Sequence, residues 1–215
     1  MKLESIIFDL DGTLIDSSAS ILSALNASFE RVGCKPAQAL TKDIIGPPLQ
    51  ETLALVSGSN DQALLTDLAA AFKTFYDTVG YRQTTVFPGV DAVLRQLAAK
   101  GLALYIATNK RIKPTQLIVK HLDWCQLFKG IYALDYLTPP ATDKTELIAV
   151  ITSTHRLDPT HTLYVGDQHS DAVAALVNNI QYAHATWGYG TKSLPLTEMT
   201  KLAHPSMLLN MVNFY

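Results

Sequence analysis

The sequence predicts an α/β fold, a doubly wound parallel sheet with an inserted, all-helical second unit, and three observations predict it. Short, continuous apolar runs recur along the chain, longer helical patterns separate them, and one interval near the start holds helical patterns alone. Unbroken apolarity over four to six residues marks strands buried on both faces, as in a parallel sheet. Regular alternation of such strands with helices builds a doubly wound domain.

The first strand is Ile6-Ile7-Phe8, running into Asp9-Leu10-Asp11-Gly12. Helical patterns follow over 18–31, ended by Gly33, then over 48–56 and 62–76, in which Phe72, Phe75 and Tyr76 fall on one face. That face reads as packing. The division expected is a core of residues 1–16 and 88–215 and a helical cap of residues 17–87, standing over the carboxyl ends of the strands. Beyond it, 91–100 is a helix stopped by Gly101, and Leu102 to Ala107 is a strand. Ile131-Tyr132-Ala133-Leu134 is a third strand. Asp143 with Glu146 forms a capping arrangement for a helix toward His155. Thr162-Leu163-Tyr164-Val165 and Tyr182-Ala183-His184-Ala185 are further strands, with a helix over 171–177 between them.

Composition excludes several function classes. Of 215 residues 48% are apolar and 17% charged, enough apolar mass for a sizeable core and unlike a disordered chain. Seventeen Lys and Arg against nineteen Asp and Glu leave a net charge of −2, where a nucleic-acid binder carries a basic excess. No apolar run approaches the roughly 18 residues of a membrane span. The acids Glu4, Asp9 and Asp11 and the lack of a small-residue cleavage site do not fit a signal peptide. Cys34 and Cys125 form no metal or disulfide pattern. A reduced, cytoplasmic protein is expected, without nucleic-acid or membrane partners.

Four features with chemical potential fall at predicted strand ends, where doubly wound sheets bind ligands. In Asp9-Leu10-Asp11-Gly12-Thr13 an extended backbone would send both carboxylates to one side; a polar turn is the bland alternative. Thr108-Asn109 closes the second strand and would serve equally as a helix cap. Lys144 opens a helix, and Gly166-Asp167-Gln168-His169-Ser170-Asp171 places two acids four residues apart. Three carboxylates within about 5 Å would repel by roughly 3 kcal/mol per pair at an effective dielectric near 20. A divalent cation would relieve that, and oxygen donors without a His/Cys cluster favour Mg²⁺ over zinc.

Taken together, Asp9-x-Asp11-Gly12-Thr13, Thr108-Asn109, Lys144 and Gly166-Asp167-x-x-Ser170-Asp171 resemble the motifs of the haloacid dehalogenase superfamily, with its Rossmann-like core. The likeness extends to Phe87-Pro88-Gly89-Val90 and Thr186-Trp187-Gly188-Tyr189-Gly190, and is greatest to the phosphoglycolate phosphatase-like group. It implies a phosphoric monoester hydrolase acting through an aspartyl-phosphate. Asp9 would be the nucleophile and Asp11 the acid and base. Gly12, Thr108, the Asn109 amide and Lys144 would hold the phosphoryl group. Asp9, the Asp11 carbonyl, Asp167 and Asp171 would hold Mg²⁺. Relatives often carry Lys-Pro where this chain has Lys144-Thr145.

The substrate expected is a small phosphorylated metabolite, and the protein a monomer or weak homodimer. The 46–51 segment resembles a specificity loop, and equally a helix start with Pro in its first turn. It lacks the Arg with which sugar-phosphate mutases of the superfamily grip a second phosphate. The alternatives carried forward are a 5'-nucleotidase, with Tyr81 stacking on the base, a sugar-phosphate phosphatase or mutase, and a silent binding protein. Lys110, Arg111 and Lys113 read as a solvated helix start, with steering of anionic substrates as the second reading. His169 reads as a surface-loop residue.

Overall fold

The computed structural model describes residues 3–190 and 199–212. In chain order its elements begin with strands β1 (Ser5–Phe8) and β2 (Ile15–Asp16) and helices α1 (Ser18–Val32), α2 (Leu49–Ser57) and α3 (Gln62–Tyr76). Next come β3 (Thr85–Val86), α4 (Val90–Ala99), β4 (Ala103–Thr108), α5 (Ile112–His121), β5 (Gly130–Ala133) and α6 (Lys144–His155). The chain closes through β6 (Thr162–Gly166), α7 (His169–Val177), β7 (Gln181–Ala185), β8 (Thr200–Leu202) and α8 (Met207–Val212).

Burial on two faces explains the layering. Ile6 and Phe8 enter one apolar cluster with Leu104, Ile106, Leu163 and Val165, covered by Val93 and Leu97 of α4 and Ile118 of α5. Ile7 turns the other way, to Tyr105, Ala107 and Tyr164, covered by Leu147 and Ile151 of α6 and Ala174 of α7. A strand apolar at every position therefore has to lie between two helical layers, as the doubly wound prediction requires. The sheet runs in the order β5-β4-β1-β6-β7-β8, all parallel. The chain winds outward from β1 through β4 to β5, then crosses to the far side of β1 and continues through β6. The carboxyl ends of β1, β4 and β6 thus flank the point where winding reverses, the crevice in which such sheets bind ligands.

Each long predicted element is present, with ends displaced by one or two residues. Helix α4 stops where Gly101 takes a left-handed φ of 84°, and Asp143 caps α6 by accepting from the Glu146 amide. Helix α7 starts two residues earlier than expected, because Gln168 and Asp171 form a reciprocal capping box. Several elements went unpredicted. The antiparallel ribbon of β2 and β3, through which the chain leaves and re-enters the core, spans two residues per strand, too short for any periodicity. Strand β8, paired to β7, has two exposed residues out of three. Helix α8 and the full length of α5 were likewise not anticipated.

Candidate active site

Local chain geometry decides where the acids go. Strand β1 ends at Phe8, and Asp9 still belongs to the ladder through its amide bond to Val165 O at 2.9 Å. The backbone then closes on itself: the amides of Thr13, Leu14 and Ile15 all point to Leu10 O, and Gly12 sits at φ 91°. The extended alternation expected of Asp9 and Asp11 therefore fails, and the two carboxylates occupy different surroundings.

Asp9 is buried, with Oδ1 2.7 Å from Lys144 Nζ. The same ammonium lies 2.6 Å from Asp171 Oδ1. Asp9, Asp167 and Asp171 can each offer one oxygen within 4.8 Å of the others. Asp11 is not in this group. Its carboxylate receives the Lys110 ammonium at 2.9 and 3.1 Å and the Ser17 hydroxyl. Of the four sequence-predicted metal residues, three bring their side chains together, and Asp11, expected to offer its carbonyl, has its carboxylate bonded to Lys110 and Ser17.

The acids are held from behind. Asp171 Oδ1 also accepts from the buried Tyr164 hydroxyl at 2.8 Å, and its Oδ2 accepts from the Gln168 amide at 2.9 Å. Asp167 accepts from the amides of Tyr189 at 2.7 Å and Gly190 at 3.1 Å, and from the Thr13 hydroxyl at 3.3 Å. A Cβ on Gly188 would stand 2.3 Å from Asp167 Cβ and 2.4 Å from Gly12 O. Only a residue without a side chain lets the 186–190 turn close on Asp167.

Burial drives the electrostatics. It pushes the Asp9 carboxyl well above the ordinary aspartate range; Lys144 opposes this, and Asp171 and Asp167 add to it. Asp167 is pushed up to about 6 by burial and by Asp171, against the stabilising amides of Tyr189 and Gly190. Burial alone would lower Lys144, but Asp171 and Asp9 outweigh it and hold the ammonium charged. One lysine thus serves three buried carboxylates. The charge balance is short of positive charge, and the all-oxygen donor set suits a hard divalent cation.

Thr108 is buried at the end of β4, and its hydroxyl accepts the Lys110 amide at 3.1 Å. The Asn109 side chain donates to Gly46 O at 2.9 Å, tying the 46–51 segment to the core. A cleft open to solvent runs from Asp9 and Asp11 past Thr108 and Asn109 and out between α1, α3 and this segment.

The basic trio corrects the sequence reading. Lys110 is not solvated: its ammonium is buried against Asp11 and lies 4.6 Å from the Tyr76 ring centroid. Arg111 pairs with Asp77, and of the three only Lys113 is exposed. Asp11 and Tyr76 are distant in sequence from Lys110, so no local pattern could foretell this. Tyr81 packs edge-on to His121 and does not line the cleft. Phe72 and Tyr76, read as packing only, do line it. His169 is exposed, as expected, but it opens α7 rather than lying in a loop. Sequence reasoning also missed Ser17, Tyr164 and Gln168, which lie within seven residues of the acids they bond, and Tyr189, which reaches Asp167 across 22 residues.

Comparison with known proteins agrees with this geometry. The model of the haloacid dehalogenase-like hydrolase family matches residues 6–185. A 5'-nucleotidase of Pseudomonas aeruginosa is 29% identical over 89% of this chain and 86% of its own. A phosphoglycolate phosphatase of Cereibacter sphaeroides is 31% identical over 87% of each. Among solved structures, a haloacid dehalogenase-like family hydrolase from Streptococcus pneumoniae superposes with a TM-score of 0.84 at 28% identity, covering 97% of this chain and 98% of that one.

Proposed function

Because the chain belongs to the haloacid dehalogenase-like hydrolases, we propose that it is a Mg²⁺-dependent phosphatase that cleaves a small phosphomonoester through an aspartyl-phosphate on Asp9. The observation that carries this reading is the unlike setting of two nearby acids. Asp9 lies against Lys144 and two further buried carboxylates, whereas Asp11 stands at the cleft wall with its own lysine.

In the first step an Asp9 oxygen bonds to phosphorus as the ester P–O bond breaks, and Asp11 gives the departing alkoxide a proton. In the second, water bonds to phosphorus, passes its proton to Asp11, and the Asp9–phosphorus bond breaks to release phosphate. This covalent route divides one difficult displacement into two easier ones. Lys110 faces the charge that Asp11 acquires on giving up its proton. Thr108 and the Asn109 amide line the phosphoryl end of the cleft, and Lys144 supplies fixed positive charge beside it. The residues fitted to hold Mg²⁺ are Asp9, Asp167 and the Asp11 carbonyl. Asp171, whose oxygens already serve Lys144, Tyr164 and Gln168, is better placed as a positioning partner. Bound there, the cation would offset carboxylate repulsion and neutralise phosphoryl charge. Helices α1–α3 act as the cap that screens this chemistry from water.

A mutase would need a cation for a second phosphate, and the 46–51 segment at the cleft provides none. Asp9→Asn should abolish Mg²⁺-dependent turnover of a generic aryl phosphate while circular dichroism stays unchanged. Retained turnover would refute the nucleophile assignment.

A further inference from the structure

The outer cleft carries a chemical signature of its own. Beyond Asp11 its walls are Ile21 and Leu25 of α1, Ile44 and Leu49 on the facing segment, and Phe72 and Tyr76 of α3. Phe72 and Tyr76 stack on one another at 5.3 Å and 7°. The cations and amide that border the cleft are already engaged. Lys110 is turned to Asp11 and covered by Tyr76, its side chain 7% exposed, Arg111 is paired with Asp77, and the Asn109 side chain with Gly46 O.

A carboxylate or second phosphate on the leaving group would be desolvated here without a free partner, which is unfavourable. Apolar side chains dominate the lining of this outer part, as in sites that take an uncharged body. We infer that the substrate is a phosphomonoester of an uncharged, mainly apolar alcohol, its alkyl or aryl body seated between α1, α3 and Leu49. This rests on the phosphatase reading and narrows it: phosphoglycolate, with its second anion, and nucleotides, with their polar edges, are poor substrates.

The test uses the 215-residue chain with Mg²⁺ and measures kcat/KM for ethyl, butyl and hexyl phosphate, phosphoglycolate and adenosine 5'-monophosphate. Alkyl esters have leaving groups of similar basicity, so chain length isolates burial. Each methylene in contact should raise kcat/KM by up to about fourfold, and hexyl phosphate should exceed phosphoglycolate and the nucleotide by at least tenfold. Leu49→Lys, which adds a free cation at the half-buried mouth, should lower the hexyl-to-phosphoglycolate ratio at least tenfold. The wild-type series decides by itself if that variant does not fold. Values independent of chain length, or phosphoglycolate or the nucleotide equal to the hexyl ester, overturn the inference but leave the phosphatase intact. Failure to hydrolyse any of the five esters overturns both.

Discussion

Replacing Lys144 by methionine removes one charge while keeping nearly the same length and volume. The ammonium sits 2.7 Å from Asp9 and 2.6 Å from Asp171. At an effective dielectric near 20 each contact is worth about 6 kcal/mol before desolvation. Much of that is cancelled by the cost of burying the charges, and removing one partner of a buried pair leaves a net loss of about 3–5 kcal/mol. For a chain of this size each kcal/mol lowers Tm by about 2–4 °C, so a fall of roughly 6–20 °C is expected in metal-free buffer. The loss should shrink with added Mg²⁺ and at lower pH, since both relieve the uncompensated carboxylates. In Mg²⁺, kcat/KM should drop by about a hundred- to a thousandfold, the cost of one well-placed electrostatic group. Thermal melts with and without chelator and steady-state kinetics on an aryl phosphate measure the two effects. A variant that melts like the wild type without metal and keeps its kcat/KM would show that Lys144 neither holds the acids together nor assists phosphoryl transfer.

Two further outcomes follow from the same cluster. Gly188→Ala forces a methyl group within 2.3 Å of Asp167 and 2.4 Å of the Gly12 carbonyl; it should cost about 1–3 kcal/mol in chemical denaturation and raise the Mg²⁺ concentration for half-maximal activity, and unchanged values would mean the turn has room to spare. The metal-free protein should lose stability as pH rises. Asp167 titrates at about 6 in the fold, above its unfolded value, so the folded state binds the extra proton; its contribution is fully present below about 4 and is lost as pH passes 6. That amounts to up to about 3 kcal/mol. Denaturation midpoints at pH 5 and 7 should show the decline with chelator, lose it with Mg²⁺ and show a smaller one in Asp167→Asn, where the raised Asp9 carboxyl remains, whereas an identical slope in Asp167→Asn would exclude Asp167 as a source.

What the sequence made legible was what depends on neighbours along the chain. The buried strands are continuous apolar runs, Asp143 and Gly101 mark helix ends through their own side chain or its lack, and the acids stand at strand termini. The sheet order then brings Asp9, Thr108 and Asp167 together, because β1, β4 and β6 are adjacent. Contacts spanning the chain were not legible. Lys110 looked solvated because its partners, Asp11 and Tyr76, lie on other elements. The 186–190 segment gave a family likeness but no role until its amides were seen to hold Asp167.

Two aspartates separated by a single residue perform different work only if their environments differ. On a continued strand Asp9 and Asp11 would share a face and repel. The turn around Leu10 O prevents this and delivers each carboxylate to a separate buried lysine. Lys144 shares Asp9 with Asp167 and Asp171, a group short of positive charge and suited to a cation and a phosphoryl group. Lys110 takes Asp11 alone, beneath the Tyr76 ring contributed by α3. Asp11 is thereby coupled to α3, which lines the cleft, whereas Asp9 is anchored at the end of the sheet.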